Sequence, residues 1–126
     1  MSEKPFGQII YTPEQAPQEV ISKAETHTPR INAPEKVGKL EEFEVEVSVG
    51  PHPNEVEHSI RWIELYFYEE GRPYNPVFLA RVELAPVYAE PKIKLRLKLK
   101  NSGTLYALEY CNLHGIWEAR RYIKVE

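Results

Sequence analysis

The chain has 126 residues, 42% of them hydrophobic and 11% aromatic, enough to fill the core of one domain. A formal net charge of -3 supplies no basic field for nucleic acid or an anionic membrane, and no apolar stretch approaches the roughly 20 residues that span a bilayer. The opening MSEKPFGQII lacks the basic region and long apolar run of a secretory leader, so a soluble protein resident in the cytoplasm is expected.

Residues 1 to 36 carry Pro5, Pro13, Pro17, Pro29 and Pro34 without a sustained hydrophobic period, which predicts an extended segment wrapped on the body of the same domain. Pro17 suits a first helical position, and Val20, Ile21 and Ala24 then face inward over one short helix. Residues 37 to 126 read as strands. Phe43, Val45, Val47 and Val49 alternate with Glu44, Glu46 and Ser48, the period of a half-buried strand. SIRWIELYFYEEG is rich in aromatic and branched residues and stops at Glu70-Gly71, while VFLARVEL puts Phe78, Ala80, Val82 and Leu84 on one face.

Ile93, Leu95, Leu97 and Leu99 alternate with Lys94, Arg96 and Lys98, and Asn101-Ser102-Gly103 turns into TLYALEYC, so these two runs are expected to form a hairpin. RRYIKVE supplies a short closing strand. Many strands, short turns and no long helix predict an all-β fold, an immunoglobulin-like antiparallel β-sandwich with an extended, Pro-rich N-terminal segment. The basic stripe from Lys92 to Lys100 has a cross-strand complement in Glu42, Glu44 and Glu46 and reads as a solvated face rather than a polyanion-binding ribbon.

Chemistry concentrates in five residues. Cys111 is the only cysteine, so it forms no internal disulfide; it is a buried filler, a reactive thiol or a metal ligand. His114 follows three residues later, before Gly115, which is free to adopt the angles of a tight reversal. His52 is clamped between Pro51 and Pro53, His58 closes the same stretch, and His27 lies in the irregular N-terminal segment. Singly, His27 or His58 reads as an ordinary surface or capped histidine and Cys111 as a buried apolar thiol; together, four histidines and a cysteine at strand ends and in rigid loops favour one shared metal site. Structural zinc is satisfied by four donors, and a blue-copper site wants a weak axial thioether, whereas the one methionine is Met1. Iron accepts higher coordination, and five protein donors leave one position for a small oxygen species.

HTP, HPNEVEHSIRWIELYF and LYALEYCNLHGIWE, with the spacing between them, resemble the superoxide reductases, specifically the one-iron neelaredoxin type of the desulfoferrodoxin family. The resemblance runs from about Glu25 to the C-terminus. The two-iron relatives carry an additional four-cysteine domain that a chain with one cysteine lacks. The resemblance implies a mononuclear iron with His27, His52, His58 and His114 in a plane, Cys111 axial, and superoxide approaching opposite the sulfur. It implies one-electron reduction of superoxide to hydrogen peroxide, rubredoxin as the typical electron donor, and a homotetramer.

Glu25 matches the glutamate that closes onto ferric iron in relatives, and the peptide N–H groups of Leu113 and His114 match those that bond to the cysteine sulfur. Neutral imidazoles and one thiolate would leave the site cationic in both oxidation states, attracting an anion to an acidic protein. One position departs from the pattern: many relatives have a lysine directly before the first ligand histidine, whereas this chain has Thr26, and Lys23 is the nearby cation able to replace it. Trp62 and Trp117 are read as core filling rather than an electron relay. Two other readings stay open at this point. A zinc or iron site that only stabilises a binding module predicts a colourless or redox-silent protein, with an electron-transfer module lacking superoxide chemistry as its variant; a Cys-His hydrolase built on Cys111 and His114 needs a pocket and an orienting carboxylate that the sequence does not display.

Overall fold

A computed structural model describes residues 3–126. Among the described residues, eight strands form two sheets. The smaller is ordered β1-β3-β6, from Arg30–Asn32, Phe43–Ser48 and Lys92–Leu97; the larger is ordered β2-β8-β7-β4-β5, from Lys36–Val37, Gly115–Val125, Gly103–Cys111, Ile60–Glu69 and Val77–Glu83. All pairings between these strands are antiparallel except the two-residue β2 on β8, and an isolated parallel bridge joins Tyr11 to Trp117. The inward residues of both sheets meet in one apolar core of the immunoglobulin-like sandwich.

The period-2 reading of β3 holds: Val45 and Val47 are fully buried, and Glu44 and Glu46 stand opposite Arg96 and Lys94 of β6. Lys92 and Lys94 pair with Glu46, and Arg96 with Glu42, so the basic stripe is a charge-matched edge. These exposed pairs contribute about 1 kcal/mol at most each.

Four expectations are corrected. β6 does not pair with β7 as a hairpin; β6 lies on β3 in the small sheet, and the chain crosses at residues 98–102 into the large one. Lysines fill the outer positions of β6 and suit an edge. β7 is half-buried or buried throughout and suits the position between β4 and β8. The closing strand is not short, since β8 starts at Gly115 and runs for 11 residues. In β5 the face is offset, because Leu65 opposes Ala80 and Tyr66 opposes Phe78, leaving Leu79 as the extra residue of a bulge. Phe78 therefore turns outward, and Val77 and Leu79 pack on the core. Finally, the short helix begins later than Pro17: a turn closes from Pro17 to Ile21, a 3-10 turn covers Ile21–Lys23, and α1 is Ala24–His27.

The N-terminal segment is tied to both sheets. Its β1 pairs with β3, and further upstream Tyr11 N–H donates to Ile116 O while Glu118 N–H donates to Tyr11 O, both at 2.9 Å. Among the described residues, no helix is long and apolar enough to cross a membrane.

Candidate metal centre

Three connections converge at one end of the sandwich. His27 ends α1, just before β1 of the small sheet; His52 and His58 lie in the β3 to β4 connection between the sheets; Cys111 ends β7 and His114 occupies the turn into β8. That turn needs Gly115, whose φ is +82° and whose missing Cβ leaves room for the Tyr11 ring at 3.2 Å. The result is that one ligand-type atom from each of the five residues lies within 4.8 Å of every other.

The imidazoles form a closed ring. His27 neighbours His52 and His114, with centroids 4.7 and 4.9 Å apart, and His58 neighbours the same two at 4.6 and 5.1 Å, every pair being close to perpendicular. His27 thus stands across from His58, and His52 across from His114. Cys111 Sγ lies 3.4 Å from His52 Nε2 and 3.7 Å from His114 Nδ1.

The outward nitrogens fix two tautomers. His27 Nδ1–H donates to the Lys23 carbonyl at 3.0 Å, with the Thr26 hydroxyl at 2.8 Å; His52 Nδ1–H donates to the Pro53 carbonyl at 2.7 Å. Both Nε2 atoms then present lone pairs to each other at 3.2 Å, an arrangement that repels unless a cation lies between. Cation–nitrogen bonds of about 2.1 Å meeting at right angles place neighbouring nitrogens about 3.0 Å apart, close to the 3.1 and 3.2 Å separations from His27 Nε2 to its two neighbours. His58 Nε2 is buried without a hydrogen-bond partner. Donor chemistry and spacing therefore fit a metal ion with four nitrogens and one sulfur.

Electrostatics agree. Burial pushes the His27 imidazole down to about 4 and lowers His52 and His114 as well, so their lone pairs are free at neutral pH. Burial pushes the Cys111 thiol up, and the N–H groups of Leu113 and His114 aimed at its sulfur oppose that shift. A cation beside the sulfur is what would make it a thiolate.

Glu25 is not part of the cluster. It sits on the second residue of α1, exposed, on the wall of a cavity shared with Thr28, Arg30 and Pro51. Trp117 is wholly buried; its Nε1–H donates to the His114 carbonyl at 3.0 Å and its ring packs on His27 and Tyr11. Trp62 instead stacks on Tyr110, with the Arg81 guanidinium 4.7 Å from its ring centre.

Sequence reasoning passed over Glu109. It shares the inward parity of Leu105, Ala107 and Cys111 on β7, and a carboxylate at that phase was the available signal. Its side chain is fully buried with both oxygens unpartnered, and burial pushes its carboxyl up to about 9, so it is neutral at pH 7. Glu109→Met, which replaces the orphaned oxygens with apolar atoms of similar reach, is expected to stabilise the metal-free protein by about 1–3 kcal/mol in denaturant unfolding at pH 7. A destabilised variant would mean that the carboxyl has a partner.

The desulfoferrodoxin family model matches residues 19–120. This chain belongs to the desulfoferrodoxin family. The chain is similar to the superoxide reductase of Pyrococcus horikoshii, 47% identical over 102 residues, with 76% of this chain and 85% of that one covered. The neelaredoxin of Megalodesulfovibrio gigas is 36% identical over 118 residues, 82% of this chain and 91% of its own. The solved superoxide reductase (neelaredoxin) of Ignicoccus hospitalis is 69% identical, covers 98% of this chain and 100% of its own, and superposes with a TM-score of 0.92. The desulfoferrodoxin identification and the sandwich fold predicted from the sequence agree with these findings.

Proposed function

We propose that this protein is a superoxide reductase: it takes superoxide, one electron from an outside donor and two protons, and releases hydrogen peroxide without evolving oxygen. The observation that carries the reading is the closed ring of four imidazoles with a buried sulfur beside it, in a chain of the desulfoferrodoxin family. Bound iron supplies the one-electron chemistry, alternating between ferrous and ferric states.

The residues divide the remaining work. His27, His52, His58 and His114 would hold the metal through their ring nitrogens, with Lys23 and Pro53 carbonyls keeping two of the rings oriented. Cys111 would supply the sulfur donor, and the N–H groups of Leu113 and His114 aimed at it would limit how much electron density it donates. Glu25, two residues before His27 on α1, is the carboxylate that would serve as a further donor to the oxidised metal. Residues 1–36, carrying His27 and Glu25, act as part of the same domain as residues 37–126. The reading extends by family resemblance to a rubredoxin-like donor, a homotetramer and a cytoplasmic setting.

Thr26 brings no charge, so attraction of the anion falls to the metal and to Lys23, whose charge adds to the burial that chiefly lowers the pKa of both His52 and His114. Lys23→Ala is therefore expected to slow superoxide reduction several-fold at low salt and to lose that effect at high salt. An unchanged low-salt rate removes Lys23 from the steering role.

The deciding assay mixes reduced, iron-quantified protein with superoxide in a single turnover. One peroxide formed per superoxide consumed, with no oxygen, is the expected result. Half that yield with oxygen evolved would make the protein a dismutase instead.

A further inference from the structure

We infer that Asn112 is a positioning residue that sets the aim of His58 relative to the Cys111 sulfur. The inference rests on the ligand assignment above. Asn112 Nδ2–H donates to the Glu57 carbonyl at 2.8 Å, and Asn112 Oδ1 accepts from the Ser59 N–H at 2.9 Å. Those two groups belong to the peptide units on either side of His58. One side-chain amide therefore grips both planes whose rotation determines where the His58 ring points. A third contact, from Asn112 N–H to Ser59 O, is 3.4 Å long.

The need for such a grip follows from the strand ladder. β4 pairs with β7 as far as Ile60 opposite Cys111, and the register shifts between Ile60 and Trp62, so His58 lies beyond the last paired residue. The turn from Glu55 to His58 closes on itself through Glu55 N–H to His58 O and His58 N–H to Glu55 O, which shapes the turn without anchoring it to β7. The Arg61 guanidinium adds a bond to Val56 O and its Nε–H bonds to Ser59 Oγ, both within the same stretch of chain. Among the described residues, the side chain that carries the tie across to the cysteine is Asn112, the next residue along from the sulfur. His58 Nε2 is buried without a hydrogen-bond partner, so the aim of the ring rests on its backbone and on the edge-on His52 and His114 rings beside it. His52, by contrast, has its own Nδ1–H bonded to a carbonyl.

The test titrates metal-free wild-type protein, Asn112→Ala, Asn112→Asp, His58→Ala and the His58→Ala/Asn112→Ala double variant with Co2+, reading affinity and the sulfur-to-cobalt absorption band. Asn112→Ala is expected to lose about tenfold in Co2+ affinity and to shift the band. Asn112→Asp, which keeps the acceptor for Ser59 and loses the donor to Glu57, is expected to fall between and serves in place of the alanine if that variant does not fold. In the His58→Ala background the Asn112→Ala loss should vanish, since the two share one route. Wild-type affinity and an unshifted band in Asn112→Ala, with only a lower unfolding midpoint, would overturn the inference, and so would losses that add in the double variant. Superoxide reduction is measured separately on iron-loaded wild-type protein, so its failure would sink the functional reading and leave the cobalt data to decide the role of Asn112.

Discussion

Cys111→Ser is expected to abolish the absorption band of oxidised, iron-loaded protein and to lower superoxide reduction by about 100-fold or more, the loss of a ligand exceeding the 10- to 100-fold cost of losing an outer partner. Cys111 is fully buried and is the described cysteine in this chain, so a ferric thiolate transition has one source. Serine fills nearly the same space, but its oxygen is less polarisable and does not ionise at neutral pH. The N–H groups of Leu113 and His114 that restrain the sulfur would then face a neutral oxygen. The check is the visible spectrum of iron-quantified protein before and after one-electron oxidation, for wild type and variant side by side. A band that survives in the serine variant would show that sulfur does not ligate the iron. A wild-type protein with no band would show that Cys111 does not ligate redox iron.

Trp117→Ala should cost about 3–5 kcal/mol of stability, the range for emptying a large aromatic site in a core. Trp117 heads the wholly buried side chains, and its ring is enclosed by Tyr11 of the N-terminal segment and by His27. The same change frees the His114 carbonyl, so metal retention should fall along with stability. Trp117→Phe separates the two effects: it keeps most of the packing and forfeits the hydrogen bond, a loss of about 1 kcal/mol, while still loosening the His114 turn. Denaturant unfolding of metal-free protein measures the first effect and retention of iron against a chelator measures the second. A loss below about 1 kcal/mol in the alanine variant would mean that the site collapses around the missing ring.

Much of this was legible in the residues themselves. The alternation in β3 and the aromatic run of β4 marked strands because one face of each is buried, and the five donors stood out because histidine and cysteine at strand ends have few other uses. What escaped was set by contacts distant in sequence. Asn101-Ser102-Gly103 marks a change of direction equally well whether the chain reverses beside itself or passes to the other sheet. Leu79 gives no sign of being the extra residue of a bulge, since only its partner strand defines the count. EARR hid the first half of β8, where Glu118 and Arg120 take outward positions. In the site, the Lys23 and Pro53 carbonyls carry no residue-type signal at all, because every residue has a carbonyl. Asn112 did have one, an amide directly after the cysteine, but its partners are the backbone of a loop more than fifty residues away.

The donors are drawn from α1, the connection between the sheets and the last turn of the large sheet, so 84 residues separate His27 from Cys111 along the chain. Short peptides cut from this protein would hold no more than two or three donors each, and the cage assembles only when distant strands have found one another. A growing chain therefore offers no complete trap for whichever divalent ion is most abundant around the ribosome. Metal choice is deferred to a finished pocket of defined size. The apolar core common to both sheets, rather than the ion, would then hold that pocket together.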